Sequence, residues 1–317
     1  MWMDNRTSLA ATIFVLLCLA TVSGRTQFSA HAESGPSAGP PLEYIGSWGA
    51  KGDGPGHLED PASIATDSIG NVYIADPGSK FVHKFSPDGK PLISFQEDPL
   101  KHPQDVAVDS GGAIYVTDPV RRSVFICLPS GERDRYHELR LKSRSSKENV
   151  LSVSVADDGL IYVLDSDAGK IFAFNVRAHL VAFWQARPDA AGTKGEPGTI
   201  AVAADTTVYV SDAAGGRILK FTRDGHYLSE IGASASLNGW KLSDRFALSA
   251  SNLFVMDTDG RMLHVWTMDG SPKLDMDLAP ELGQAPRPAP PIAVSPRHEL
   301  LVLDVPEARV LRYRINF

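Results

Sequence analysis

Short runs of apolar residues alternate with polar turns through most of this chain, in the pattern of β-strands rather than helices. Residues 61–95 contain four such runs, with turns at Gly70-Asn71 and Asp88-Gly89. β-Branched and aromatic residues are frequent in the runs, as they are in buried strands. Asp-Gly is favoured in tight hairpins because these turns need positive φ. This segment therefore predicts four strands joined by tight turns.

The same arrangement recurs along the chain. Its clearest marker is an aspartate directly after the second apolar run of each repeat: Asp76, Asp118, Asp165, Asp212, Asp257 and Asp304. Successive markers are 42, 47, 47, 45 and 47 residues apart. A unit of this length holds the four strands of one propeller blade. The pattern predicts an all-β fold, a six-bladed β-propeller of four-stranded blades.

The two ends of the repeat region predict how the ring closes. The sixth repeat stops at Phe317, directly after its third strand, so its fourth strand must come from elsewhere. Residues 42–48 resemble the fourth strand at residues 227–232. We expect the N-terminal strand 42–48 to complete the last blade, which also protects the sheet edges of the two chain ends.

The N-terminal segment has a different pattern. Residues 9–22 form an apolar run of 14 residues, shorter than the ~20 of a membrane helix but typical of a signal peptide. Ala30-His31-Ala32 offers a cleavage site. We expect a signal peptide at 1–32, a flexible linker at 33–41 and the propeller at 42–317, in a periplasmic or secreted protein with no membrane span in its mature chain. An uncleaved N-terminal anchor is the alternative.

The charge of the chain argues against nucleic-acid binding, and its cysteine content argues against a fold held by disulfides. The chain has an ordinary globular composition, 43% hydrophobic and 22% charged, with a net charge of −7. Residues 1–32 carry two arginines and one aspartate, so the mature chain is near −8 and lacks the basic excess of nucleic-acid-binding proteins. Cys127 is the one cysteine after the leader, so no intramolecular disulfide can form, and its place in a third strand predicts a buried thiol.

The repeats resemble those of the NHL family of propellers. Residues 61–85 and 103–125 follow the family pattern P-x-G-[VI]-A-V-D-x-x-G-x-[IV]-Y-V-A-D, and the resemblance covers residues 42–317. Two features depart from it. Blades five and six lack the aspartate that ends the first strand, and other residues replace the asparagine of the family's turn: Ser79, Arg121, Gly169, Gly216, Gly260 and Ala308. The resemblance implies a bacterial exported propeller with diverged repeats.

A basic residue follows each marker aspartate four or five positions later: Lys80, Arg122, Lys170, Arg217, Arg261 and Arg309. We interpret the aspartates as structural, with the carboxylate accepting hydrogen bonds from backbone N–H groups of a tight turn and the basic residue pairing with it. A ring of six aspartates that binds a cation is the alternative. Six nearly equal copies favour a structural device of the repeat.

Function is expected on the face formed by the loops that lead into the first strand of each blade, since sites concentrate on loops held by a rigid scaffold. These lead-in loops span residues 49–60, 97–102, 139–149, 187–196, 232–244 and 279–290, of which the proline-rich last one should be extended. We expect a binding or scaffold module for a protein, peptide or polysaccharide ligand, without a cofactor. The candidate ligand-binding residues are His57, Lys101, His102, Arg144, Lys194, Trp240 and Arg287.

A metal-dependent hydrolase or lyase with a site in the central channel is the alternative. Some NHL-like propellers are peptidyl-hydroxyglycine lyases that hold a metal with three histidines, whereas only His57 and His102 lie in the lead-in loops here. Gluconolactonase-like propellers hold a divalent cation with carboxylate, Asn and Asp ligands. The corresponding set for one Ca²⁺ or Zn²⁺ comprises Glu59, Asn149, Asn238 and His102. The chain has no G-x-S-x-G, H-E-x-x-H or P-loop motif.

Overall fold

The structure is a computed structural model, which describes residues 39–96, 100–141, 151–186, 195–232, 241–283 and 288–317. It contains six sheets, each of four antiparallel strands, arranged as a six-bladed β-propeller. The predicted fold class is therefore confirmed.

The strands are numbered in chain order, beginning with β1 (Leu42–Trp48). Blade 1 contains β2 (Ser63–Thr66), β3 (Val72–Asp76), β4 (Phe81–Phe85) and β5 (Pro91–Phe95). Blade 2 contains β6 (Asp105–Val108), β7 (Ile114–Asp118), β8 (Ser123–Cys127) and β9 (Arg133–Arg140). Blade 3 contains β10 (Leu151–Val155), β11 (Ile161–Asp165), β12 (Lys170–Phe174) and β13 (Leu180–Gln185).

The second half of the ring repeats this arrangement. Blade 4 contains β14 (Pro197–Val202), β15 (Val208–Asp212), β16 (Arg217–Phe221) and β17 (Tyr227–Ile231). Blade 5 contains β18 (Leu242–Leu248), β19 (Asn252–Asp257), β20 (Met262–Thr267) and β21 (Pro272–Asp277), and a short helix α1 (Ala279–Leu282) follows it. Blade 6 contains β22 (Ile292–Ser295), β23 (Glu299–Asp304), β24 (Arg309–Ile315) and, from the other end of the chain, β1.

The first strand of each blade is the innermost one. β2, β6, β10, β14, β18 and β22 line a central channel, and each contacts the first strands of the two neighbouring blades. β22 contacts β2, so the ring is continuous. The second strands lie one step outward and are the most deeply buried, since every residue of β3, β7, β11, β15 and β19 is buried.

The two chain ends close the ring as expected. β1 pairs antiparallel with β24, from Leu42 opposite Ile315 to Trp48 opposite Val310, with a register shift at Gly46. An ion pair between Glu43 and Arg314 at 2.8 Å spans the same two strands. Strand 42–48 therefore completes the last blade.

Adjacent blades interlock at their outer edges. A large side chain at the end of one blade's fourth strand packs on the turn between the third and fourth strands of the next blade. A Cβ on the glycine of that turn would lie within about 3.2 Å of it in four pairs: Gly89 with Trp48, Gly131 with Phe95, Gly225 with Trp184, and Gly270 with Ile231. Glycine is needed there for close approach as well as for positive φ.

One expectation about the loops is wrong. The proline-rich loop 279–290 was expected to be extended, but it begins with α1, over Ala279–Leu282. Proline is tolerated in the first turn of a helix because that N–H has no intrahelical partner. Leu278 and Leu282 are buried, so this turn carries apolar side chains into the core. No helix in the described ranges is long and apolar enough to cross a membrane.

Gly225 and Gly216 provide a matched test of the interlock. Both have positive φ, but a Cβ on Gly225 would come within 2.4 Å of Trp184, whereas one on Gly216 would meet nothing within 4 Å. We expect Gly216→Ala to cost about 1 kcal/mol of left-handed strain, and Gly225→Ala to cost about 1–3 kcal/mol more because it displaces the indole. Denaturant unfolding of both variants measures the difference. Equal losses would show that the indole does not constrain the turn.

Candidate functional site

The marker aspartates anchor the lead-in loops to the blades. Asp76 accepts hydrogen bonds from the backbone N–H groups of Glu59 (2.7 Å), Asp60 (3.0 Å) and Ser79 (3.2 Å). Asp118 accepts from the N–H groups of Lys101 and His102, at 2.7 and 3.3 Å. Each carboxylate therefore joins the loop before the first strand to the end of the second strand. Asp212 does the same in blade 4, where it accepts from Glu196 and Gly215.

The basic residues after these aspartates reach different carboxylates. Arg217 and Arg309 bond to the aspartate of their own turn, Asp212 and Asp304, at 2.9 Å. Arg122 bonds to Asp165 of the next blade at 3.1 Å, and Arg261 bonds to Asp277 at 2.6 Å. The pairing within one turn is thus not uniform around the ring.

A channel of about 240 Å³ runs between the first strands of all six blades. Its walls are formed by residues 63–66, 104–108, 151–155, 198–201, 245–247 and 291–294. Serine, threonine and small apolar side chains make up most of this lining. Two charged residues, Asp105 of blade 2 and Arg245 of blade 5, stand among the described residues of the wall. They are three blades apart and therefore on opposite sides of the ring.

Side-chain oxygens join the first strands of neighbouring blades. Asp105 Oδ2 accepts from the N–H of Val153 at 2.9 Å, and Ser152 Oγ accepts from the N–H of Ile200 at 3.2 Å. The innermost strand is an edge of its sheet, so alternate N–H groups have no partner within the blade. A short polar side chain from the preceding blade supplies that partner.

Asp105 has the most connections in this set. Its Oδ1 accepts from Ser63 Oγ and from the N–H of Val106, in addition to the bond between Oδ2 and Val153. The carboxylate therefore links blades 1, 2 and 3 with neutral donors, and its negative charge lies on the channel wall.

Arg245 occupies the equivalent position of blade 5. In each blade one residue of the first strand pairs with the position two before the marker aspartate. The residue that precedes it is Ser63, Asp105, Ser152, Thr199, Arg245 or Pro291. β18 is irregular here, with a register shift between Leu242 and Phe246. The Arg245 side chain is 30% exposed, and its Nε lies 3.6 Å from Asp244 Oδ1. The repeat alignment carried a signal for this residue, because no other blade has a cation there.

A second cavity meets the channel at Arg245. This cleft of about 230 Å³ is lined by Pro61, Ala62, Arg245, Pro288, Ala289, Pro290, Pro291, Val305 and Pro306. We call it the proline cleft. Apart from Arg245 of β18, its wall residues precede the first strands of blades 1 and 6 or follow Asp304, which places the cleft on the face of the lead-in loops. Arg245 belongs to both linings and marks the mouth of the channel.

The described candidate residues are not among those that line this mouth. His57 is exposed in the first lead-in loop beside Gly52, and Glu59 of the same loop is also exposed. Lys101 and His102 hold Asp118 through their backbones. None of these four residues lines either cavity.

Six other candidates, Arg144, Lys194, Trp240, Arg287, Asn149 and Asn238, lie outside the described residues, so their proposed roles stay predictions. Across the described ranges, no three His, Cys, Asp or Glu side chains are grouped so that they would hold a metal ion.

Comparison with known proteins supports the fold. No family model matches the sequence, and a comparison with curated proteins finds no significant match. A streptogramin B lyase structure aligns over 86% of this chain and 86% of its own, with 14% identity and a TM-score of 0.58. Virginiamycin B lyase from Staphylococcus aureus aligns over 87% and 89%, with 13% identity and a TM-score of 0.59.

A catalytically inactive variant of the Staphylococcus aureus enzyme with quinupristin aligns over 81% and 84% of the two chains, with 13% identity and a TM-score of 0.55. At this identity the likeness shows the six-bladed propeller alone. The assignment of the repeats to the NHL family remains a prediction.

The hydrogen bonds to Asp76 change its ionisation. Burial by itself raises the pKa of this carboxyl, but contact with the His83 ring and three backbone N–H groups outweighs it and lowers the pKa from 3.8 to about 2. The folded state thus holds the carboxylate more strongly than the unfolded chain does. This stability is present above about pH 4 and is lost as the pH falls towards 2.

Asp76→Asn tests this contribution. We expect the variant to be less stable at pH 7, because an amide nitrogen cannot accept the N–H bonds. Its unfolding free energy should also fall less steeply than that of the natural chain between pH 4 and pH 2. Urea unfolding across this range gives the comparison. Asp53→Asn, at an exposed loop aspartate, should keep the natural slope, and an unchanged slope in Asp76→Asn would contradict the assignment.

Proposed function

We propose that this chain is an exported binding propeller whose ligand docks on the face of the lead-in loops, at the mouth of the channel. The observation that carries the proposal is the position of Arg245, which lines both the channel and the proline cleft. At the junction of the two cavities, Arg245 offers a ligand a polar contact, and the proline cleft beside it offers an apolar wall. Export rests on the apolar run at residues 9–22.

The surroundings of this mouth favour recognition of a ligand in a fixed pose. Three of the blades meet there: blades 5 and 6 share one cluster of buried side chains, and blades 6 and 1 share another. Prolines restrict the backbone of the cleft wall, because their ring fixes φ. Binding to such a wall costs little conformational entropy, which supports affinity for a small ligand or for the end of a larger one.

The proposal is tested by filling the cleft. Ala62→Phe places a large side chain in the proline cleft, whereas Ser68→Phe adds the same group in the exposed turn between β2 and β3, at the opposite end of blade 1. A fragment library screened by ligand-observed NMR supplies the probes. We expect the fragments that bind the natural chain to lose about tenfold or more in affinity with Ala62→Phe, since the cleft volume is occupied, and to keep it with Ser68→Phe. Fragments that bind both variants equally would place the site elsewhere.

A lyase acting on its ligand at the same mouth is the second candidate. The observation in its favour is that the solved structures above are lyases and share the fold over more than four-fifths of each chain. Quinupristin, present in one of those structures, is the first compound to try as a substrate.

Incubation of the purified protein with quinupristin, alone or with Ca²⁺ or Zn²⁺, tests this candidate by liquid chromatography with mass detection. If the chain is a lyase of this type, we expect time-dependent loss of quinupristin that Ala62→Phe slows because the mouth is blocked. Full recovery of quinupristin under all three conditions would argue against this activity and leave binding as the proposed function.

A further inference from the structure

We infer that the ligand of this mouth is an organic monocarboxylate with an apolar group next to the acid. Arg245 binds the carboxylate, and the proline cleft takes the apolar group. This inference rests on the proposed function, because it names the class of ligand for the same site.

Arg245 retains hydrogen-bonding capacity for an anion. Its guanidinium has five N–H donors, and the one ion pair of this side chain in the described structure is the 3.6 Å approach to Asp244. Other arginines of the propeller are held more closely: Arg217 lies 2.9 and 2.8 Å from Asp212 and Glu230, and Arg309 lies 2.9 Å from Asp304. Arg245 therefore differs from arginines whose donors serve the fold.

The charges around Arg245 favour a single negative charge on the ligand. Asp244 is adjacent and 36% exposed, and Asp105 lies on the opposite wall of the channel. The carboxylate of Asp244 beside the guanidinium opposes a phosphate dianion, whose second charge would have no partner. A carboxylate instead matches the two parallel N–H groups of an arginine fork.

The cleft beside Arg245 selects an apolar group. Five of its nine described lining residues are prolines, which have no N–H to donate, and Ala62, Ala289 and Val305 add methyl groups. Hydroxyl groups placed against this wall would lose hydrogen bonds to water without replacement. Of the three ligand classes expected from the sequence, a polysaccharide fits this wall poorly, whereas an aromatic or aliphatic acid, including the C-terminus of a peptide, fits it well.

Titration calorimetry with 3-phenylpropanoate and its uncharged analogue 3-phenylpropanamide tests the inference on the purified full chain. We expect the acid to bind about tenfold or more tightly than the amide, because only the acid forms charge-assisted hydrogen bonds. Arg245→Gln should abolish this preference, and Arg245→Lys should retain part of it, since lysine keeps the charge without the fork.

Arg297→Gln is the matched control. Arg297 is 47% exposed, lies 3.7 Å from Asp88 and belongs to the opposite face, so its loss should leave the affinity for the acid within about twofold. Thermal unfolding of each variant confirms that it folds.

N-acetylglycyl-phenylalanine and its amide then distinguish the source of the acid. Tighter binding of this peptide acid than of 3-phenylpropanoate points to a peptide C-terminus, and weaker binding points to a small free acid.

Three results would overturn the inference. They are no binding of 3-phenylpropanoate, equal binding of acid and amide, and an acid preference that survives Arg245→Gln. When one of these results is found, Ala62→Phe shows how much of the argument fails. If 3-phenylpropanoate or its amide binds and Ala62→Phe removes that binding, the proposed site stands and only the ligand class is wrong. If binding survives both Ala62→Phe and Arg245→Gln, the proposed site fails as well.

Discussion

One ladder of backbone hydrogen bonds, between β1 and β24, holds the ring closed. Residues 42–48 and 309–315 are separated by nearly the whole fold, yet they form the outer half of one four-stranded blade. Without β1, blade 6 would end at an unpaired strand, and Trp48 would leave the turn at Gly89 on blade 1. Blades contact only their neighbours, and this ladder ties the chain segment that leads into blade 1 to blade 6, in addition to the direct contact of β22 with β2.

Closure also determines the chemistry of the centre. Each first strand is an edge strand that faces the channel, and it can stay there only if its outward N–H groups find acceptors. Asp105 and Ser152 supply them from the preceding blade. The channel wall is therefore built from short polar side chains that are already engaged. A long cation such as Arg245, in an irregular part of β18, is an exception within this wall.

The sequence predicted the fold almost completely, because the period of the marker aspartates and the alternation within each repeat are local signals. It predicted the closing strand because the sixth repeat is one strand short. The helix α1 was missed because a single turn has no period of its own.

Arg245 was missed for another reason: residues 243–245 form the register shift of β18, and the pattern assigned them to the boundary between loop and repeat. Most of the candidate loop residues lie outside the described ranges. Of those within them, Glu59, Lys101 and His102 use their backbones to hold Asp76 or Asp118.

In a repeat protein, a residue type that recurs in all six units and one that occurs once have different meanings. The marker aspartates recur because every blade has the same turn to satisfy, and those of blades 1 to 5 accept N–H bonds of that turn or of its lead-in loop. The position of Arg245 is filled in three other blades by serine or threonine and in one by proline. A cation is not required there by the propeller, since the other blades close without one. Asp105 also departs from the small residues at this position, but its hydrogen bonds to Ser63 of blade 1 and Val153 of blade 3 account for it. For Arg245 the contacts within the described fold supply only a loose ion pair with Asp244, and this difference from the other blades is the basis of its proposed role in ligand binding.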